Sequence, residues 1–296
     1  MSFTIDEAFV RQYTDNVYML SQQMGSRLSN AVTQVPNIVG KQIGFERLAE
    51  VTVEQMTTRH GDTPLISSTH SKRWMSLLDY HWADLIDDMD TIKMLIDPTS
   101  DYAIAAASAM GRQKDTRIIT AFDATVVTDE DQGGTAAFPS GYIVAVDFAD
   151  NATSPDSNLT LGKLRRAKTL LDLQDTPEEE RYFVYGPEQL NALLRDTTLT
   201  SLDYNDVRAL IDGRITRYLG FEFIMTNLLT IDASNIRECY AFQKRGMKLG
   251  MGKDIVGRIS ERGDKNYSKQ VYYSMSLNSV RMDETSVVQV LCDEDL

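Results

Sequence analysis

The sequence has 296 residues, of which 42% are hydrophobic and 25% are charged. This balance is typical of a folded protein with a sizeable core, in one large domain or two, and it excludes a disordered chain. The formal net charge is −13, which argues against a dedicated DNA-binding protein because such proteins rely on basic patches.

The two cysteines, Cys239 and Cys292, are too few for a disulfide framework, and they indicate synthesis in a reducing cytoplasm. The first ten residues lack the basic and apolar parts of a secretion signal. No apolar run approaches the ~20 residues that span a bilayer. We therefore expect no association with a membrane.

A helix is predicted for residues 4–30. Thr4 and Glu7 have the spacing of a capping box, in which two side chains bond to the free backbone N–H groups of the first turn. Apolar residues then recur at spacings of four and three, which places them on one helix face, and such a stripe usually docks on its own domain. They are Phe9, Tyr13, Val17, Leu20, Met24 and Leu28.

The next segments have sequence patterns typical of strands. Residues 38–56 alternate between apolar and polar side chains, best at Val51 and Val53, and predict a strand. Residues 59–64 form a turn cluster. Residues 72–90 are ambiguous, because their apolar residues fit helical spacing while 74–82 also alternate as in a strand.

A long helix is predicted for residues 97–123. Asp97 can cap its first turn, and Pro98 suits the first helical position, where its missing N–H would have no partner. The alanine-rich body lets other segments approach the backbone closely. This helix has the properties of a spine on which other elements pack, and it carries no catalytic cluster.

Helices and strands alternate after the spine, which predicts a compact α/β subdomain at about 129–234. The helices are at 159–174, 187–195 and 202–212, and the strands are at 142–148, 181–185 and 215–228.

The tail is predicted to contain a helix at 236–251 and strands at 255–259, 269–277 and 286–290. These strands should pair with each other beneath the spine. The stretch 246–254 invites comparison with a phosphate-binding loop, but its glycine spacing is one residue too long and Asp254 would repel phosphate. We interpret it as a helix end and loop. Cys239 should be packed inside the preceding helix.

No catalytic or metal-binding motif stands out, so no cofactor and no metal are expected. His60, His70 and His81 lack the spacing of a zinc site, and no G-x-S-x-G elbow of a serine hydrolase occurs. An acidic group could gather a divalent cation, but a solvated acidic face is favoured because the glycine-bearing spacing of a calcium loop is missing. Its members are Asp84, Asp87, Asp88 and Asp90.

An ordered series of motifs resembles tailed-bacteriophage major capsid proteins, over roughly residue 36 to the end. On the spine the resemblance rests on Asp97-Pro98, Ser100, Tyr102, Ala109, Gly111-Arg112 and Asp115. Elsewhere it rests on residues 61–64, 71–73, 86–90, 161–165, 185–190, 213–215 and 220–223.

The resemblance implies an α+β phage major capsid fold in four parts. It favours a strand at about 72–83, as the returning half of a long hairpin that overlaps a neighbouring subunit. It also implies glycine where Asn278 stands, in a turn between strands. The implied parts are an N-terminal arm at 1–35, an extended hairpin loop at 36–92, a peripheral domain with the spine helix at 93–128 and 235–296, and an axial α/β domain at 129–234.

The same resemblance implies a structural protein and not an enzyme. The subunit would assemble with itself into hexamers and pentamers of an icosahedral virion shell around double-stranded DNA. It would be synthesised in the host cytoplasm, with a separate scaffolding protein, since the short N-terminal region leaves little room for a fused one, and with a portal. Implied inter-subunit contacts are Arg59, His60, Asp62, Pro64, Lys72, Arg73, Arg112 and Asp115.

Two alternatives stay open. An encapsulin-like compartment would share the fold but enclose cargo enzymes. An α/β enzyme is the third hypothesis, and the absence of convergent catalytic motifs disfavours it.

Overall fold

The computed structural model describes residues 22–55, 57, 59, 61, 65–86, 99–131, 133–150, 155–195 and 217–295. The strands in these ranges are β1 (Thr33–Val35), β2 (Gln42–Leu48), β3 (His70–Ser76), β4 (Leu78–Ile86), β5 (Val126–Val127), β6 (Thr135–Ala136), β7 (Ile143–Val144), β8 (Arg181–Tyr185), β9 (Arg217–Tyr218), β10 (Phe221–Met225), β11 (Ile236–Gln243), β12 (Met247–Arg262), β13 (Ser268–Arg281) and β14 (Val287–Asp293). The helices are α1 (Thr99–Asp123), α2 (Leu161–Asp172) and α3 (Pro187–Arg195).

Helix α1 is the predicted spine, and its existence is confirmed. Its predicted capping residues, Asp97 and Pro98, lie outside the described residues. The face that points into the protein carries Ala106, Met110 and Ile118, which are all buried. At the C-terminal end the guanidinium of Arg281 donates to the carbonyl oxygen of Phe122 at 2.5 Å, so a buried cation satisfies an orphan carbonyl where the helix dipole is negative.

The first sheet lies against α1 and has the order β1-β12-β13-β4. The long strands β12 and β13 are antiparallel neighbours, as predicted for the tail. Val271, Met275 and Leu277 on β13 are buried, which explains their alternation with polar positions. Asn278 lies inside β13, so the turn implied at this position is wrong.

The second sheet has six strands in the order β7-β14-β11-β8-β10-β9. Helix α2 packs against it next to β14. The spine helix also packs against this sheet, because the centre of the Phe122 ring lies 4.7 Å from the centres of the Tyr240 and Phe242 rings. The predicted elements 159–174, 181–185 and 187–195 are confirmed as α2, β8 and α3, and the strand predicted at 215–228 is present as β9 and β10 with a turn at Gly220.

The third sheet, in the order β2-β3-β5-β6, contains the hairpin. Strands β2 and β3 are antiparallel, from the pair Gln42–Ser76 to the pair Leu48–His70. The strand predicted at 72–83 is confirmed, with a break at Leu77 that divides it between β3 here and β4 in the first sheet. Of the strand predicted at 38–56 only 42–48 forms, and the part around Val51 is unpaired.

The helix predicted at 236–251 is wrong, since these residues form β11, a 3₁₀ turn and the start of β12. Strand β11 lies between β14 and β8, and from Cys239 to Gln243 every residue is buried. A strand covered on both faces loses alternation and resembles a buried helix segment. The same error affects 246–254, which is strand and not a helix end with a loop. Cys239 is packed as expected, but on a strand.

Two further corrections concern the predicted tail and arm. Strand β14 pairs with β11 and β7 and not with the other tail strands. The division of the chain at residue 234 therefore cuts through the second sheet, whose strands come from both sides of it. The N-terminal helix predicted at 4–30 is absent over 22–30, where Gly25 has φ +75°, and residues 4–21 lie outside the described residues.

The other predicted elements differ in length from the observed ones. The strand predicted at 142–148 is limited to β7, and those predicted at 255–259, 269–277 and 286–290 are parts of the longer β12, β13 and β14. The helix predicted at 202–212 lies outside the described residues. No described helix is long and apolar enough to span a bilayer.

Candidate functional site

The carboxylate of Asp115 holds the segment 22–28 on the spine helix. Its oxygens accept hydrogen bonds from Gln23 Nε2 and Ser26 Oγ, both at 2.5 Å. They also accept from the backbone N–H groups of Arg27, at 2.9 Å, and Leu28, at 3.1 Å. Asp115 is fully buried, so these four donors replace the water that a carboxylate would otherwise bind. This charged residue therefore lies within the subunit and not on an outer helix face.

Gly111 lets the same segment approach the helix closely. A Cβ at this position would lie 2.5 Å from the carbonyl carbon of Gly25 and 2.6 Å from its Cα. Arg112, the next residue, donates to Gln22 Oε1 at 2.8 Å and to the carbonyl of Gln23 at 3.0 Å. The motif residues Gly111, Arg112 and Asp115 thus form one binding surface for segment 22–28, which we call the arm anchor.

The root of the β2–β3 hairpin is fixed by a cluster of ion pairs. Arg73 on β3 is buried and its Nη2 lies 2.7 Å from Glu284 Oε1. Arg47 on β2 lies 3.3 Å from Glu284 and 3.5 Å from Asp283. Because Arg73 is desolvated, its pair with Glu284 resists screening by salt better than a surface pair does. These contacts join the hairpin to the turn between β13 and β14.

The outer part of the hairpin, in contrast, is exposed. Beyond the pair Leu48–His70, residues 49–55 and 65–69 form no strand and are exposed throughout. Val53 is 93% exposed and Leu65 is 99% exposed. Several large apolar side chains exposed in these two segments favour a surface that contacts another protein.

Several buried ionisable groups have structural partners. Burial raises the pKa of the Asp123 and Glu238 carboxyl groups above their ordinary values, and the Tyr240 hydroxyl donates to Glu238 Oε2 at 3.0 Å. Burial lowers the pKa of the Lys163 amine, which donates to the carbonyls of Ser157 at 2.6 Å and Leu291 at 2.9 Å. Lys163 thereby joins the first turn of α2 to β14, a structural role.

No group of three or more metal-binding side chains occurs in the part of the chain that the structure describes. Of the predicted acidic group, Asp84 lies on β4, while Asp87, Asp88 and Asp90 are outside the described residues. The described residues thus offer two internal anchors and an exposed outer hairpin.

The sequence profile of the family described as phage capsid protein matches residues 5–294. The chain belongs to the phage capsid protein family. It is thus a structural protein of a phage capsid. No curated protein matches the sequence.

Solved phage capsids share the fold of this capsid protein along nearly the whole chain. The capsid structure of cyanophage P-SCSP1u has a TM-score of 0.75 and 15% identity, with 96% of this chain and 93% of that chain covered. The head of Helicobacter pylori bacteriophage KHP40 gives 0.73 and 10%, with 99% of each chain covered. The capsid of Ralstonia phage GP4 gives 0.72 and 9%, covering 99% of this chain and 98% of that one.

The residues predicted for inter-subunit contact fall into separate places on this capsid protein. Arg112 and Asp115 belong to the arm anchor, and Arg73 belongs to the hairpin root. Lys72 is exposed on β3, 3.7 Å from Glu46. Arg59 is exposed in the outer hairpin. The other three predicted positions, His60, Asp62 and Pro64, lie outside the described residues.

Sequence reasoning missed the acidic half of the hairpin root. Asp283 and Glu284 lie in a short turn between two strands, where acidic residues are common and indicate nothing about a partner 200 residues away. The sequence contains one weak indication of this turn. The Asp283 side chain accepts from the Thr285 N–H at 3.2 Å and caps a 3₁₀ turn.

Proposed function

We propose that this protein is the major capsid subunit of a tailed phage and that it assembles into hexamers and pentamers of an icosahedral shell enclosing double-stranded DNA. The proposal rests on the similarity in fold between this chain and whole capsid subunits. It covers 99% of both chains in the head of phage KHP40, and the family profile spans residues 5–294. The protein acts by assembly and not as an enzyme.

The distribution of contacts supports assembly through the hairpin. Its root is fastened by Arg73, while the described residues of its outer part, Val53 and Leu65 among them, are exposed. Such a projection has a defined direction and an unsatisfied apolar surface, which are the properties needed to overlap a neighbour. We infer that Arg59, His60, Asp62 and Pro64 at its end, together with Lys72, contact the next subunit.

The other predicted residues act indirectly in this proposal. Arg112 and Asp115 fix the arm, and Arg73 fixes the hairpin, so each sets the direction in which a contacting segment leaves the subunit. Their loss would misplace an interface without removing a contact from it.

The proposed partners follow from the family. Further copies of the chain form the shell, a separate scaffolding protein guides its curvature, and a portal occupies one vertex. DNA is enclosed without sequence-specific binding. The net charge of −13 supports this arrangement, because an acidic wall repels phosphate. The subunit would be synthesised in the bacterial cytoplasm and act in the virion.

Deletion of residues 57–64 tests the hairpin in this function. The deletion should leave a subunit that unfolds cooperatively, because exposed turns contribute little core burial. It should abolish shell formation, measured by light scattering and electron microscopy of protein expressed with its scaffold. Loss of soluble, folded subunit would contradict the placement of the hairpin outside the core.

Particles of the undeleted protein test the proposal as a whole. DNA-filled heads with tails are expected in infected cells. Shells filled with cargo enzyme and lacking DNA would favour an encapsulin-like compartment. A protein that stays monomeric at high concentration, with and without scaffold, would contradict the shell function.

A further inference from the structure

A cavity of about 230 Å³ lies where the spine helix meets the root of the hairpin. Its walls come from β3, from α1 with the turn and the strand β5 that follow it, and from β13. Thr120 and Thr125 are exposed and mark its mouth, whereas Val280 and Arg281 are buried and mark its inner end. Sites for drug-sized molecules have volumes of about 300–1,000 Å³, so this cavity suits a smaller group.

The lining of the cavity is basic. Among the described residues that line it are two arginines, Arg117 on α1 and Arg281 on β13, and no aspartate or glutamate. The chain as a whole is acidic, with a net charge of −13. Local charge of one sign in a concave site attracts a group of the opposite sign. The cavity therefore favours an anion over a cation as its occupant.

The guanidinium of Arg281 is fully buried and has few partners. Its Nη1 donates to the carbonyl oxygen of Phe122, and its central carbon lies 5.0 Å from the centre of the Phe138 ring. In the part of the chain that the structure describes, Nε and Nη2 have no hydrogen-bond partner. Buried N–H groups without an acceptor cost free energy, so an acceptor that enters the cavity would be bound favourably.

Two carboxylates act on Arg281 without a hydrogen bond to it. Burial lowers the pKa of Arg281, and the charges of Glu284 and Asp123 offset this effect in part. Glu284 is already paired with Arg73 and Arg47. Within the described residues, the positive charge of Arg281 is therefore only partly compensated.

Arg117 supplies a second guanidinium with an unused donor. Its Nη2 donates to Asn278 Oδ1, a neutral acceptor, at 3.2 Å. Its Nε is buried and has no partner among the described residues. A carboxylate is matched by the parallel N–H groups of one guanidinium. Donors on two guanidinium groups from separate elements instead suit a tetrahedral oxyanion, whose oxygens point in several directions.

We propose that this cavity binds a small inorganic oxyanion of the phosphate class between Arg117 and Arg281. The anion would accept hydrogen bonds from both guanidinium groups and would join α1 to β13 beside the hairpin root. The inference goes beyond the shell function, because the site lies within one subunit and does not depend on assembly.

Calorimetric titration of the free subunit with inorganic phosphate tests the site. The unmodified protein should bind one phosphate in a saturable manner, and sulfate should compete for the same site. Chloride at the same ionic strength should not compete. Matching the ionic strength removes the general effect of salt, which screens all exposed charges alike.

Two variants of the cavity and one control locate the bound anion. Arg117→Met removes a guanidinium but keeps an apolar stem, and it should weaken phosphate binding by about tenfold or more. Asn278→Asp keeps the shape of the side chain and places a negative charge beside Arg117, so it should weaken binding by a similar factor. Arg165→Met removes an exposed arginine from α2 and should leave binding unchanged.

Three results would overturn the proposal. Absence of saturable uptake by the unmodified protein would mean that the cavity holds water only, and this titration decides the question even where a variant fails to fold. Binding that is unchanged in both cavity variants would place the phosphate elsewhere. Acetate that binds more tightly than phosphate would assign the cavity to a carboxylate. Each of these results leaves the shell function intact, because shell formation is measured separately.

Discussion

Replacement of Asp115 by alanine should release segment 22–28 from the spine helix. The substitution leaves the backbone N–H groups of Arg27 and Leu28 and the Ser26 hydroxyl without this acceptor, and Gln23 Nε2 keeps only the carbonyl of Gly25. A buried donor without an acceptor costs about 1–3 kcal/mol. Water should reach some of these donors once the segment moves, so we expect the free energy of unfolding to fall by about 2–4 kcal/mol.

Two measurements check this expectation. Urea unfolding gives the change in free energy. Digestion with trypsin reports the segment itself, because cleavage after Arg27 should be faster in the variant. Asp115→Asn keeps one acceptor oxygen but turns an amide toward two donors, so its loss of stability should lie between zero and that of Asp115→Ala. Asp131→Asn, at an exposed position, is the control and should change neither quantity.

If Asp115→Ala unfolds at the same urea concentration as the unmodified protein and Arg27 is cleaved no faster, the carboxylate does not hold the segment. The four short contacts would then contribute nothing measurable. A domain of typical stability, about 5–15 kcal/mol, would remain folded after the expected loss, so both measurements are feasible.

Gly111→Ala should lower the free energy of unfolding by about 1–3 kcal/mol, because its Cβ would overlap the backbone of Gly25; Gly141→Ala, with no atom within 4 Å of the new Cβ, should be nearly neutral in the same urea titration. Glu238→Gln tests the raised pKa of this carboxyl: ionised Glu238 destabilises the folded state above its folded pKa, and that penalty disappears as the pH falls toward the unfolded value near 4.5. The unmodified protein should therefore gain stability relative to Glu238→Gln between about pH 7 and pH 4.5, and a difference that is constant over this range would contradict the assignment.

The sequence predicts well those elements whose pattern comes from local contacts. The spine, α2 and α3 each bury one face, so their apolar spacing survives in the sequence. Strand β11 pairs along its edges with β14 and β8 and is buried on both faces, and this burial is set by segments far away in the chain. No window of 16 residues contains that information, which is why the sequence at 236–251 predicts a helix.

The sequence predicts which residues form the candidate site but not how they are arranged. The resemblance singled out Gly111, Arg112 and Asp115, and the structure brings all three into contact with segment 22–28. Their role inside the subunit could not be inferred from sequence, because the segment adopts a non-helical path with Gly25 at positive φ. The apolar stripe that predicted a helix includes Leu28, which is buried by that path instead.

The strand predicted around Val51 is a second place where the sequence pattern and the structure disagree. Local sequence and global fold usually agree, and the places where they disagree are often functional. For β11 the disagreement is resolved inside the subunit, since the strand pairs with β14 over Ile236–Phe242 and with β8 over Tyr240–Gln243. For residues 50–54 no strand within the described part of the chain is a partner, and the side chains are exposed. This strand pattern, which the described part of the chain leaves unpaired, agrees with the proposal that the outer hairpin contacts a neighbouring subunit, because the pairing that its sequence favours would then come from outside the subunit.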